Sequence, residues 1–235
     1  MIQKIPASDR HYQSLGWLKT YWLFSFGRYF DPENVRFGNL RVFNDDRILP
    51  HTGFDTHAHS EMEIVTIVLE GELTHKDSSG GEGTIGPGEV QRMSAGTGIR
   101  HSEKNEGDEE VHLYQIWFFP DEEGLEPGYE QKRFPLEAHT ERLKPLVQPG
   151  GEDGTVSIHA GIRIYQGNLD SGEVLDYEVP EDRGAFIYLT TGEVNIGDLS
   201  FGAGDQARVP GPDSLHISGE KESSFILIDV SFLDE

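Results

Sequence analysis

The chain has 235 residues, with 19 Lys and Arg against 42 Asp and Glu, a formal net charge of −23. A surface this acidic repels phosphate backbones and anionic lipid, which argues against nucleic-acid and membrane partners. Cysteine is absent, so disulfides, thiolate metal sites and cysteine nucleophiles are excluded.

The N-terminal MIQKIPASDR has no apolar signal core. Residues 17–30 are aromatic-rich, but Lys19 and Arg28 interrupt them, and a membrane span needs ~20 apolar residues. The expectation is a soluble, cytoplasmic protein. Short β-rich runs follow at 63–69 (EIVTIVL), 111–119 (VHLYQIWFF), 161–165 (GIRIY), 185–189 (AFIYL) and 225–232 (FILIDVSF). Clusters of Gly, Pro, Asp and Asn separate them, as strands joined by tight turns require. The best helical candidate is 133–147, limited by Pro135 and Pro145. Acidic, Gly- and Pro-bearing stretches at 120–131 and 148–155 flank it. They divide the chain into a first domain at 1–125, a linker with a short helix at 126–150, and a second domain at 151–235.

The two halves echo each other. VLEGEL at 68–73 resembles LTTGEV at 189–194, and GPGEV at 86–90 resembles GAGDQ at 202–206. His101-Ser102-Glu103 lines up with His216-Ile217-Ser218, although Gly88 to His101 spans 13 residues and Gly204 to His216 spans 12. The reading is all-β: two tandem small β-barrels.

His57 and His59 are two residues apart, as are His101 and Glu103. Residues i and i+2 of a strand share a face, so each pair can present two ligand atoms to one point. Facing strands would bring together three imidazoles and a carboxylate, a set suited to a divalent first-row metal. In the second half only His216 remains and Ser218 stands where Glu103 would, so that barrel is expected to be empty and His216 structural. The other histidines, His75 and His112 among them, receive no role. Gly81 to Gly86 fits G-x-G-x-x-G, but Pro87-Gly88 follows where a dinucleotide site needs a helix.

The run from His57 to Glu106, and within it GEVQRMSAGTGIRHSE at 88–103, resembles the metal-binding core of the pirin family. Matching is strongest over residues 50–120. The resemblance implies two tandem cupin domains, each a double-stranded β-helix. It implies metal ligation by His57, His59, His101 and Glu103, and cleavage of a flavonol such as quercetin by O2 to a depside and carbon monoxide. Glu103 would then also be the catalytic base. The cofactor is taken as one divalent transition metal, Fe(II) first, with Ni, Mn, Cu and Zn also open. Phe54, Met62 and Met93 are candidates for lining the substrate slot. The family often has Arg-Gly-Phe-Glu after the second histidine, where this chain has Ser60-Glu61-Met62-Glu63; Glu63 holds the glutamate position of the general cupin motif, but the pirin ligand corresponds to Glu103. The alternative reading is a metal-loaded, redox-sensing regulator that acts through a protein partner. A third is a metal-poor cupin that binds sugars or other small molecules, which four residues at ligand spacing argue against. The chain is expected to be a monomer.

Overall fold

A computed structural model describes residues 1–134 and 141–232. Among them no α-helix occurs; two three-residue 3-10 turns are the only helical elements. Twelve strands precede residue 134: β1 (Gln3–Ile5), β2 (His11–Ser14), β3 (Leu18–Trp22), β4 (Leu40–Ile48), β5 (Thr52–His59), β6 (Glu63–Glu70), β7 (Leu73–Asp77), β8 (Glu82–Ile85), β9 (Glu89–Ser94), β10 (Ile99–Asn105), β11 (Val111–Phe118) and β12 (Gly128–Arg133). Ten follow residue 141: β13 (Leu143–Pro149), β14 (Val156–Ile158), β15 (Arg163–Leu169), β16 (Val174–Val179), β17 (Arg183–Thr191), β18 (Glu193–Ile196), β19 (Leu199–Gly202), β20 (Gln206–Pro210), β21 (Asp213–Gly219) and β22 (Ser223–Ser231).

Each barrel is a seven-stranded sheet facing a four-stranded one. The first combines β12-β9-β6-β11-β4-β3-β2 with β5-β10-β7-β8, the second β1-β20-β17-β22-β15-β13-β14 with β16-β21-β18-β19. The strand orders correspond one to one along β9-β6-β11-β4 and β20-β17-β22-β15. The repeated Gly-acidic turn has the same construction in both copies. Glu89 accepts the Gly86 N–H at 2.8 Å and Asp205 accepts the Gly202 N–H at 3.0 Å.

The two large sheets pack against each other, which explains their unbroken apolar runs. Strands buried on both faces lose the polar alternation of a half-exposed strand. Along β6, Val65 and Ile67 belong to the core between the barrels, with Phe43, Phe118, Phe186, Tyr188 and Ile228. Ile64 and Val68 point into the first barrel instead. The second barrel is filled by its own apolar cluster, including Ile187, Leu189, Ile217, Phe225 and Leu227.

The helical expectation at 133–147 is corrected. Arg133 ends β12, and 143–147 lies in β13, paired antiparallel with β15; residues 135–140 of that stretch lie outside the described residues. Val147 is fully buried and Leu146 nearly so, and ladder pairing overrides a weak helical pattern bounded by two prolines. A second feature was invisible in the sequence. β1 pairs with β20 of the second barrel, while β12 pairs with β9 of the first.

Candidate metal centre

β5 and β10 lie side by side, antiparallel, with His101 opposite His57. The inward positions of β10 are Ile99, His101, Glu103 and Asn105, all buried, with outward neighbours between them. The rings of His57 and His101 are 4.4 Å apart between centroids, His57 and His59 4.8 Å, and His59 and His101 4.9 Å. One ring nitrogen from each of the three lies within 4.8 Å of the others.

A β-bulge refines the aim. His101 faces His57, but Glu103 faces Phe54, so β5 carries an extra residue there. Asp55 and Thr56 both turn outward. The Asp55 carbonyl accepts a hydrogen bond from His57 Nδ1 at 2.8 Å. That fixes the tautomer and leaves Nε2 as the free lone pair. Gly53 makes the bulge sterically feasible. Its φ is +149°, and a Cβ there would sit 2.2 Å from the Glu103 carbonyl oxygen.

The electrostatics keep His59 and His101 neutral. Burial and the neighbouring His57 lower His59 to about 4. Burial and the surrounding histidines lower His101 to about 3. His59 Nε2 and both ring nitrogens of His101 are buried without a hydrogen-bond partner. Buried polar atoms are ordinarily satisfied, so three convergent imidazoles, two of them with buried unpartnered nitrogens, fit a divalent metal.

Glu103 is 4% exposed, and Gln115 Nε2 donates to its two oxygens at 3.0 and 3.1 Å. Burial raises its carboxyl above the usual range. Glu103 gathers with His101 and His75 within 4.8 Å, so His101 is shared by both groups. His75, given no role above, is fully buried beneath the site. It faces Glu103 across the β7–β10 ladder, and its Nε2 donates to Asp77 at 3.0 Å, leaving Nδ1 unpartnered. Hydrogen bonds from Ser79, His75 and Gly81 hold Asp77 below its usual range against burial. The signal in the sequence was His75-x-Asp77, another i,i+2 pair on one strand face.

A cavity of about 210 Å³ adjoins the histidines. Leu18, Trp22, Phe26, Phe54, Ile64 and Trp117 form its apolar wall, and Asn44, Asp46 and Gln115 its polar one. Phe54 lines it as expected. Met62 and Met93 do not; they pack with Ile64, Ala95 and Ile99. Trp117 stands edge-on to His59 at 4.8 Å. Burial, with the charges of Asp45 and Glu103 behind it, pushes Asp46 up to about 7. Glu63 is also buried, but it accepts the backbone N–H of His159 at 3.1 Å, tying the two halves together.

His216 is not the counterpart of His101. It faces outward, its side chain 62% exposed, and bonds Asp176 at 2.8 Å. The inward residues of β21 are Leu215 and Ile217. The one-residue difference in spacing from the Gly-acidic turn accounts for this, because a shift of one residue reverses strand facing.

Two tandem cupin barrels with a histidine-carboxylate cluster in the first define a bicupin with a candidate metal centre. Residues 6–118 match the Pirin family model, and residues 146–230 match the model described as the quercetinase C-terminal cupin domain. The chain is 38% identical to a putative quercetin 2,3-dioxygenase of Zymomonas mobilis, over 97% of each chain. It is 37% identical to the quercetin 2,3-dioxygenase of Escherichia coli K12, over 98% of this chain and 99% of that one. The crystal structure of the E. coli bacterial pirin YhhW in complex with nickel(II) superposes with a TM-score of 0.93 at 37% identity, covering 99% of this chain and 100% of that one. The chain belongs to the pirin family. No helix among the described residues is long and apolar enough to cross a membrane.

Proposed function

We propose that this pirin is a metal-dependent dioxygenase that opens a flavonol-like aromatic with O2. The observation that carries the reading is the convergence of His57, His59 and His101 at the wall of a largely apolar cavity, with His59 Nε2 and both ring nitrogens of His101 buried and unpartnered. Those three and Glu103 would hold one divalent metal, which when bound would acidify a coordinated hydroxyl and favour reaction with O2. Fe(II) is the first choice. The related nickel(II) complex supports a divalent ion in such a site.

The chain's own groups supply the rest. Asp55 holds the His57 ring in place through its carbonyl. Gln115 anchors both oxygens of Glu103. Burial raises the proton affinity of Glu103, as a general base acting near neutral pH needs. Glu103 thus takes the proton of the flavonol 3-hydroxyl. The apolar wall excludes water and accepts a flat ring system. The working half is the first barrel, within residues 1–125 and completed by β12. The second barrel, within 151–235, carries no metal. We assign the protein to the cytoplasm as a monomer.

The test is to follow quercetin absorbance under air with metal-loaded protein. Sustained, metal-dependent loss supports the reading. Full metal occupancy with no loss would overturn the quercetinase assignment and favour the regulatory alternative.

A further inference from the structure

The wall of the cavity opposite the histidines is polar, and within the protein the buried Thr20 hydroxyl faces Asp46 across the β3–β4 ladder. Asn44 and Asp46 project from β4, in the large sheet, two residues apart and on one face. They are 4% and 2% exposed, and both line the cavity. Asn44 Oδ1 and Asp46 Oδ1 have no hydrogen-bond partner. Leaving a buried acceptor unsatisfied is costly, so an unpaired acceptor facing a cavity calls for a donor held in that cavity, a ligand or an ordered water.

The second barrel is an internal control. In the first barrel one row across the large sheet reads Gln91, Thr66, Gln115, Asn44. The matching row in the second reads Ala207, Ile187, Leu227, Tyr165. Asp46 faces Leu113 in the first, and its counterpart Gly167 faces Phe225 in the second. There the Phe225 ring lies so close over Gly167 that a Cβ would meet it at 2.1 Å. The same fold therefore closes this space with apolar groups in one copy and keeps it open and polar in the other.

We propose that Asn44 and Asp46 form a hydroxyl-recognition subsite that accepts hydrogen bonds from phenolic groups of a planar ligand whose other end lies at the histidines. The subsite rests on the flavonol reading above and deepens it. It selects flavonols hydroxylated away from the metal-binding 3-hydroxyl over the bare ring system. The two acceptors sit on a different sheet from His57, His59 and His101, so the ligand spans the cavity between them. Gln115, already committed to Glu103, separates the subsite from the base along the row.

The experiment compares binding of quercetin with that of 3-hydroxyflavone, which carries only the 3-hydroxyl. Quenching of Trp22 and Trp117, which line the cavity, reports binding without turnover when oxygen is excluded. The wild-type protein should bind quercetin about tenfold or more tighter, the scale of one well-made buried hydrogen bond. Asp46→Leu and Asn44→Leu, close in size to the residues they replace, should each erase most of that preference and leave 3-hydroxyflavone unchanged. Asp46→Asn, which keeps an acceptor oxygen, should retain it. Thermal melts check that each variant is folded. Equal affinity for both compounds in the wild type, or a preference that survives both leucine variants, overturns the subsite while leaving the flavonol reading intact. Failure of the wild type to bind either compound overturns the flavonol reading and the subsite with it.

Discussion

At the residue scale, the centre depends on lone pairs kept free. Partners of metal ligands alone are worth roughly 10–100-fold in affinity. Removing a ligand costs more, so His101→Ala, which sits in both ligand groups, should strip most of the metal by elemental analysis. Undiminished occupancy would count against the ligand assignment. Glu103→Gln should keep part of the metal yet slow turnover by roughly 10²–10⁴, the range of general-base catalysis; unchanged rates would remove that role. Gly53→Ala forces a side chain into the left-handed region and against the Glu103 carbonyl. A loss of roughly 1–3 kcal/mol is expected, read as a lower melting temperature, together with weaker metal retention. The shared facing of His57 with His59, and of His101 with Glu103, was legible because strand parity makes i,i+2 pairs co-facial. His75 carried the same i,i+2 signal with Asp77, while Gln115, Asn44 and Asp46 reach the site from strands whose pairing no local pattern reveals.

At the element scale, β12 and β14 bind the barrels together. Glu130 Oε2 accepts the Ser157 N–H at 2.9 Å and its hydroxyl at 2.5 Å, and Arg92 donates to the Ser157 carbonyl at 2.9 Å. Despite partial burial, Ser157 and Lys132 hold Glu130 at about 2, below the ordinary 4.5. A carboxyl lowered on folding stabilises fully above its unfolded value, and that contribution fades as pH falls through the folded value. Glu130→Gln should therefore melt a few degrees lower at pH 7, on the order of 1 kcal/mol, with the gap closing toward pH 2. A gap that is constant with pH would show that the charge of Glu130 is not what matters. The strand runs were readable from apolar, β-branched residues between turn signals. The failure at 143–147 has a physical cause: a short segment such as LKPLV has no decisive period, and its state is set by the neighbouring β15. β1, three residues long, carried no signal of its partner at residues 206–208.

At the scale of the whole molecule, the two barrels share the order of their central strands and differ in their interiors. The first keeps polar groups and a cavity; the second is packed with apolar side chains. His216→Ala should change neither metal content nor turnover, since His216 faces solvent. A loss of either would give the second barrel a part in the chemistry. The repeat itself was legible from its Gly-acidic turns, but its register at His216 was off by one, enough to turn the residue from inside to outside. The central claim is that the first barrel holds one metal on His57, His59, His101 and Glu103. Elemental analysis of the purified protein, before and after loading with iron, nickel, manganese or zinc, tests it most directly. The account predicts about one divalent metal per chain, as a single four-ligand site requires. A chain that stays metal-free after every loading would contradict it.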